Sequence, residues 1–81
     1  MADLRLFYKE TCPYCKKVIR FIEKHELDDK IEYVNIQEDP KNEEELVEKG
    51  GQGMVPCLFI DGKPLYESSD IIAYLDENYV K

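Results

Sequence analysis

Two cysteines sit where one hydrophobic period gives way to another, and that joint constrains the fold more than any other feature of the chain. Upstream, Leu4, Leu6 and Tyr8 alternate with Arg5 and Phe7, a short run that reads as a largely buried strand over residues 3–8. Downstream, Cys15, Val18, Ile19 and Ile22 fall at i, i+3, i+4 and i+7, with Lys16, Lys17, Arg20, Glu23 and Lys24 on the other faces. This is an amphipathic helix from about residue 13 to 25. Pro13 suits its first position, where a missing N–H is no loss. Residues 31–36 return to a β-branched apolar run, so the segment predicts a strand–helix–strand unit with parallel strands and a right-handed crossover.

The rest of the chain is punctuated by Gly and Pro. Asp39-Pro40 offers an N-cap followed by proline and Gly50-Gly51 a stop, bracketing a helix whose apolar face is only Leu46 and Val47; it is expected on the surface. Residues 57–60 and 63–66 read as two antiparallel strands joined by the tight turn Asp61-Gly62. Ser68 and Ser69 are candidate caps of a last helix with the stripe Ile71, Ile72, Leu75, Tyr79. The order is βαβαββα, an α/β chain.

With 81 residues, no internal repeat and no linker, residues 1–81 are expected to form one domain around one core. The hydrophobic share of 43% and charged share of 36% fit a globule rather than a disordered tail. A net charge of -7 repels phosphate backbones and anionic lipid surfaces, so neither nucleic acid nor membrane is an expected partner. No run reaches the ~18–20 apolar residues of a membrane helix. Asp3 and Arg5 interrupt what would be the apolar core of a signal peptide, and the expectation is a cytoplasmic protein. Three cysteines, an odd number, argue against a framework of structural disulfides.

The chemistry concentrates in Thr11-Cys12-Pro13-Tyr14-Cys15, a Cys-X-X-Cys at a strand-to-helix joint. Unpaired N–H groups and the positive end of the helix dipole favour an anion there, so Cys12 is expected to ionise more readily than a free thiol and to act as nucleophile. Cys15, one turn into the helix on its apolar face, is expected to be the resolving thiol. Pro13 stiffens the turn between the two sulfurs. The competing readings are packing residues or half of a zinc site. Zinc would want a second Cys/His pair at close spacing, and only Cys57 and His25, far apart in sequence, are on offer, so no metal is expected.

At this point the chain resembles the glutaredoxin family over essentially its full length. Tyr8 and Lys9 precede the Cys-Pro-Tyr-Cys motif, Met54-Val55-Pro56 stands where the family has Thr-Val-Pro, and Ser68-Ser69-Asp70 opens the last helix. The resemblance implies a thioredoxin-like fold with a four-stranded mixed sheet flanked by three helices, and a cis bond from Val55 to Pro56. It implies glutathione as reductant and co-substrate, and glutathionylated or disulfide-containing proteins as partners of a monomer. Backbone groups beside Pro56 would pair with the cysteinyl part of glutathione, with Met54 as a wall and Tyr14 covering the mixed disulfide. Lys9 and Gln52 would meet the glycine carboxylate. The N–H groups of Ser68 and Ser69 would hold the γ-glutamyl carboxylate, and Asp70 the γ-glutamyl ammonium. Capping alone would explain the serines; their joint placement around the cysteines is what favours the site.

Two departures stand out. Where the family usually has Gly-Gly before the last helix, this chain has Tyr66-Glu67, and Glu67-Ser68-Ser69-Asp70-Ile71 is similar to the Glu-Ser-X-X-Ile pattern of glutathione S-transferase N-terminal domains. Met54 replaces a threonine hydroxyl by a flexible apolar wall. Alternatives to a glutathione-dependent thiol-disulfide oxidoreductase are a redoxin reduced by thioredoxin reductase and a glutathione-ligated iron-sulfur scaffold. Pro13 weighs against the scaffold, whose family members usually carry a smaller or more flexible residue there. Cys57 reads as a small buried apolar residue, His25 as a helix-end residue without catalytic role, and Glu43-Glu44-Glu45 as a solvated helix face. The charge is segregated: residues 1–24 carry a net +3 and residues 25–81 a net -10.

Overall fold

The first strand, β1 (Leu4–Tyr8), is the spine about which the chain is organised. The computed structural model describes residues 3–80. After β1 come α1 (Pro13–Lys24), β2 (Ile31–Asn35), α2 (Pro40–Gly50), β3 (Cys57–Ile60), β4 (Lys63–Tyr66) and α3 (Ser68–Leu75). A 3-10 turn, Asp28–Lys30, precedes β2, and a wider π-type turn, Asp76–Val80, follows α3. The sheet order is β2-β1-β3-β4, with β1 and β2 parallel and both β1–β3 and β3–β4 antiparallel. The chain thus has the four-stranded mixed sheet and three helices of a thioredoxin-like fold.

Strand alternation sorts the core into two halves. Leu4, Leu6 and Leu58 face Val18 and Ile22 of α1 and Ile71 and Leu75 of α3. Phe7, Cys57 and Phe59 face the other way, with Val34, Ile36 and Leu46 of α2. Each fully buried Leu, Ile or Phe contributes ~1.5–3 kcal/mol of transfer free energy, so the α1–α3 side is the better anchored. α2 buries Leu46 alone and lies on the surface; Val47, expected to share its apolar face, is 45% exposed.

Local chemistry sets the element ends. Asp39 caps α2 by accepting from Lys41 N–H at 3.0 Å, and Gly51, at φ 88°, closes it in the left-handed conformation. Asp61 and Gly62 both have positive φ, 52° and 86°, the type I′ geometry that a two-residue hairpin needs. Residue 36 lies beyond β2, although Ile36 N–H still donates to the Tyr8 carbonyl at 3.0 Å.

Three expectations are corrected. α1 ends at Lys24, because Glu26 takes a positive φ of 56° and Leu27 N–H turns back to the Ile22 carbonyl at 2.9 Å. Neither Ser68 nor Ser69 caps α3; the cap position is Glu67, at φ 74°, which makes no side-chain cap hydrogen bond. Glu45 is not a solvated residue of α2. Its carboxylate accepts from both terminal guanidinium nitrogens of Arg5 in β1, at 2.8 and 3.2 Å, and from Lys49 at 2.8 Å. These partners hold its carboxyl down at about 2.

Candidate active site

The two cysteines occupy unlike environments only one helical turn apart. Cys12 is the N-cap of α1, with extended backbone (φ -87°, ψ 119°), and Pro13 follows at the first helical position. The approach is fixed by Cys12 N–H donating to the Lys9 carbonyl at 3.3 Å and by Glu10 N–H donating to Gln37 Oε1 at 3.1 Å. Burial alone would raise the Cys12 pKa. The N–H groups of Cys15 and Tyr14, the Cys15 thiol and the Lys9 charge outweigh it and lower the pKa below its ordinary value near 9. Cys15 is 0% exposed, and burial first, then the neighbouring Cys12, push its thiol up to about 12. One thiol is therefore ready to ionise and the other is held as a proton donor to it.

Beyond Cys12 lies a cleft of about 300 Å³ lined by Tyr14, Met54, Val55, Pro56, Glu67 and Ser68. The Val55–Pro56 bond is cis. Tyr14 and Met54, 65% and 50% exposed, leave apolar surface uncovered at its mouth, an unusual allocation for a chain with a small core. A larger groove of about 500 Å³ runs along α2 past Val47, but it holds no thiol.

The structure brings together five of the residues singled out from the sequence for glutathione: Tyr14, Met54, Val55, Pro56 and Ser68. Lys9 lines a different depression, and its charge bears on the Cys12 thiol. Gln52, Ser69 and Asp70 are exposed and do not line the cleft. Gln52 is engaged through its backbone, its carbonyl accepting from the Tyr66 hydroxyl at 2.9 Å and its N–H donating to it at 3.3 Å. Tyr66 thereby ties the loop that leads into Met54 and Val55 to the strand that leads into Glu67 and Ser68.

Sequence reasoning missed Glu67 as a lining residue and Tyr66 as the tie between the walls. The signal was present as the departure from Gly-Gly, since a residue held at positive φ before α3 marks a turn fixed by its surroundings. Cys57 is fully buried beside the Tyr66 hydroxyl, and burial raises its thiol to about 11, as befits a small core residue. His25 packs on Phe21, ring centroids 4.5 Å apart, at the far end of α1 from the cysteines. Among the described residues no three or more His, Cys, Asp or Glu side chains are grouped to hold a metal ion, and no helix is long and apolar enough to cross a membrane.

Comparison with known proteins places this geometry among relatives. Residues 6–81 match the family described as glutathione S-transferase, N-terminal domain. Glutaredoxin 3 of Escherichia coli K12 is 27% identical over 73 residues, 90% of this chain and 86% of that protein. An uncharacterized glutaredoxin-like 8.6 kDa protein of the rubredoxin operon of Clostridium pasteurianum is 32% identical over 59 residues, 73% of this chain and 76% of that protein. A glutathione transferase homolog from Drosophila mojavensis, solved with bound glutathione, superposes with a TM-score of 0.81 at 25% identity over 100% of this chain, which spans only 37% of that one. With residues 6–81 matching the transferase N-terminal domain and a glutaredoxin-like relative 32% identical and covered over 76% of its length, the chain belongs to the glutaredoxin family, thiol-disulfide oxidoreductases of the thioredoxin fold, and is similar over the same residues to the transferase N-terminal domain.

Proposed function

We propose that the protein is a glutathione-dependent oxidoreductase that reduces protein–glutathione mixed disulfides and protein disulfides, with Cys12 as nucleophile and Cys15 as resolving thiol. The observation that carries the reading is the split between the two thiols, Cys12 lowered and partly accessible, Cys15 buried and raised to about 12, beside a cleft with an apolar mouth. The Cys12 thiolate attacks the glutathione sulfur of a glutathionylated substrate. The substrate thiolate leaves and takes a proton from solvent, and Cys12 is left joined to glutathione. A second glutathione attacks the glutathione sulfur on Cys12, giving glutathione disulfide and restoring the thiolate.

For a protein disulfide, Cys12 forms the mixed disulfide with the substrate. Its negative charge is then gone, and with it one of the causes that hold the Cys15 proton. Cys15 attacks the Cys12 sulfur, the substrate leaves as its second thiol, and two glutathiones reduce the internal disulfide. The cleft is the proposed seat of glutathione. Val55 offers main-chain groups to the cysteinyl part, Tyr14 and Met54 cover the sulfur, and Ser68 at the start of α3 presents an N–H to the γ-glutamyl carboxylate. Lys9, assigned from the sequence to the glycine carboxylate, lines a separate depression, so the cleft lining offers that carboxylate no cation. Gln52, Ser69 and Asp70 have the weakest claim, since their side chains lie outside the cleft.

Glutathione-coupled turnover of a glutathionylated peptide and of a protein disulfide tests the roles. Cys12→Ser abolishes both reactions, whereas Cys15→Ser keeps the first and loses the second; equal loss in both variants removes the assignment. The Glu67 carboxylate in the cleft favours one second reading, reduction by a flavoprotein thioredoxin reductase, because it opposes an anionic tripeptide. Faster reduction of the internal disulfide by that reductase than by millimolar glutathione would select it.

A further inference from the structure

Two depressions border the cysteine motif, one lined by Tyr14 and the other by Lys9 and Lys16, and they differ in charge. The cleft described above carries the acid Glu67 and no base. The other, about 370 Å³, has Tyr8 and Ile19 as its apolar floor and Lys9, Lys16 and Arg20 around it, against the carboxylates of Glu10 and Glu23. We propose that this second groove seats an acidic segment of the protein substrate, next to the disulfide that Cys12 attacks. The proposal deepens the oxidoreductase reading and rests on it.

The placement of charge is the main argument. In a chain of net charge -7, basic partners would be attracted almost anywhere, yet the first 24 residues are net positive. Among the described residues two cations outside this groove have carboxylate partners: Arg5 of β1 meets Glu32 and Glu45, and Lys49 of α2 meets Glu45. Lys9, Lys16, Lys17 and Arg20 form no ion pair with a described residue. A paired cation offers little to an incoming anion, whereas an unpaired one near an acidic partner speeds encounter and fixes orientation.

Position gives the second argument. Cys12 N–H donates to the Lys9 carbonyl at 3.3 Å, so the groove that Lys9 lines lies next to the reacting residue. A mixed disulfide has two halves, and the glutathione half has its own proposed cleft, with no lining residue in common. The half-buried Tyr8 and Ile19 give apolar residues of the segment a surface to cover, which a merely solvated helix face would lack. The reaction stays balanced as before: Cys12 gains the glutathionyl group, the acidic segment leaves as a thiolate and is protonated by water, and glutathione removes the group as glutathione disulfide.

The test uses two glutathionylated peptides of equal length, one flanked by Asp and Glu and one by Lys and Arg, with a neutral glutathionylated alcohol thiol as third substrate. Wild type is expected to favour the acidic peptide roughly tenfold in kcat/KM at low ionic strength, the preference shrinking as salt is added. The double variant Lys16→Glu with Arg20→Glu is expected to erase or invert that ratio. The ratio cancels any effect the charges have on glutathione itself. Equal rates for the two peptides, or a preference untouched by the double variant, overturn the groove while turnover of the neutral substrate by wild type leaves the oxidoreductase reading standing. Failure of wild type on all three substrates overturns both.

Discussion

Replacing Tyr66 by phenylalanine removes the one oxygen that ties both walls of the cleft together. The hydroxyl makes two bonds to the Gln52 backbone, at 2.9 and 3.3 Å, both close to water. A neutral hydrogen bond nets ~0.5–1.5 kcal/mol, and solvent replaces part of it at an exposed site, so the pair is worth ~1 kcal/mol. The same oxygen fills the space that a Cβ on Gly50 would need, with Phe59 Cζ and Tyr66 Cζ 3.3 Å from that position. Gly50 lies in α2, where alanine would gain up to ~1 kcal/mol of helix propensity. Overlap with the hydroxyl costs ~1–3 kcal/mol and cancels that gain. Gly50→Ala is therefore expected to destabilise the wild type by ~1 kcal/mol and to be near neutral in the Tyr66→Phe background. Denaturant unfolding of the four proteins gives the coupling, expected to be at least ~1 kcal/mol. Additivity within ~0.3 kcal/mol would refute the packing argument. In turnover, Tyr66→Phe loosens the loop before Met54 and raises KM for the glutathionylated substrate a few-fold, while the pH at which Cys12 ionises stays fixed; an unchanged KM would remove Tyr66 as a positioning residue.

Alkylation rates against pH separate the three thiols. Cys12 reacts with an inflection below the ordinary thiol value near 9, Cys15 in the Cys12→Ser variant only in strongly alkaline solution, and Cys57 only on unfolding. A Cys12 inflection at or above 9 would contradict the helix-terminus argument. The Arg5–Glu45 pair predicts a pH dependence of stability. Because the folded carboxyl lies at about 2 against an ordinary 4.5, its contribution is complete above ~pH 4.5 and fades as the pH falls through 2. Solvent at the partly exposed pair reduces the full shift to ~1–2 kcal/mol, so Glu45→Gln costs about that at pH 6 and almost nothing near pH 2. A cost that does not vary with pH would show that packing, not charge, is what Glu45 supplies.

What the sequence made legible was local. Pro13, the 3.6-residue stripe of α1, the Asp39 cap, and the positive-φ turn at Asp61-Gly62 each write their conformation in a few neighbouring residues, and the structure follows them. The cysteine pair was legible for the same reason, since a helix start fixes the field that Cys12 feels. What escaped was set by residues distant in sequence. Glu45 reads as one of three exposed acids until β1 brings Arg5 to it from 40 positions away. Glu26 adopts positive φ without glycine, so nothing local announces that turn, and for Glu67 the one signal is the departure from Gly-Gly. Gln52 reads as a side-chain donor, yet it is its main chain that Tyr66 holds.

The glutathione adduct of the Cys15→Ser protein tests the proposed chemistry most directly. Mixed with a glutathionylated peptide and analysed by mass spectrometry with peptide mapping, the protein should carry one glutathione per chain, on Cys12, with one peptide thiol released for each adduct. Added glutathione should remove the adduct and restore the free thiol. A chain that stays unmodified, or one modified at Cys57 while Cys12 remains free, would contradict a thiolate at the start of α1 working beside a glutathione cleft.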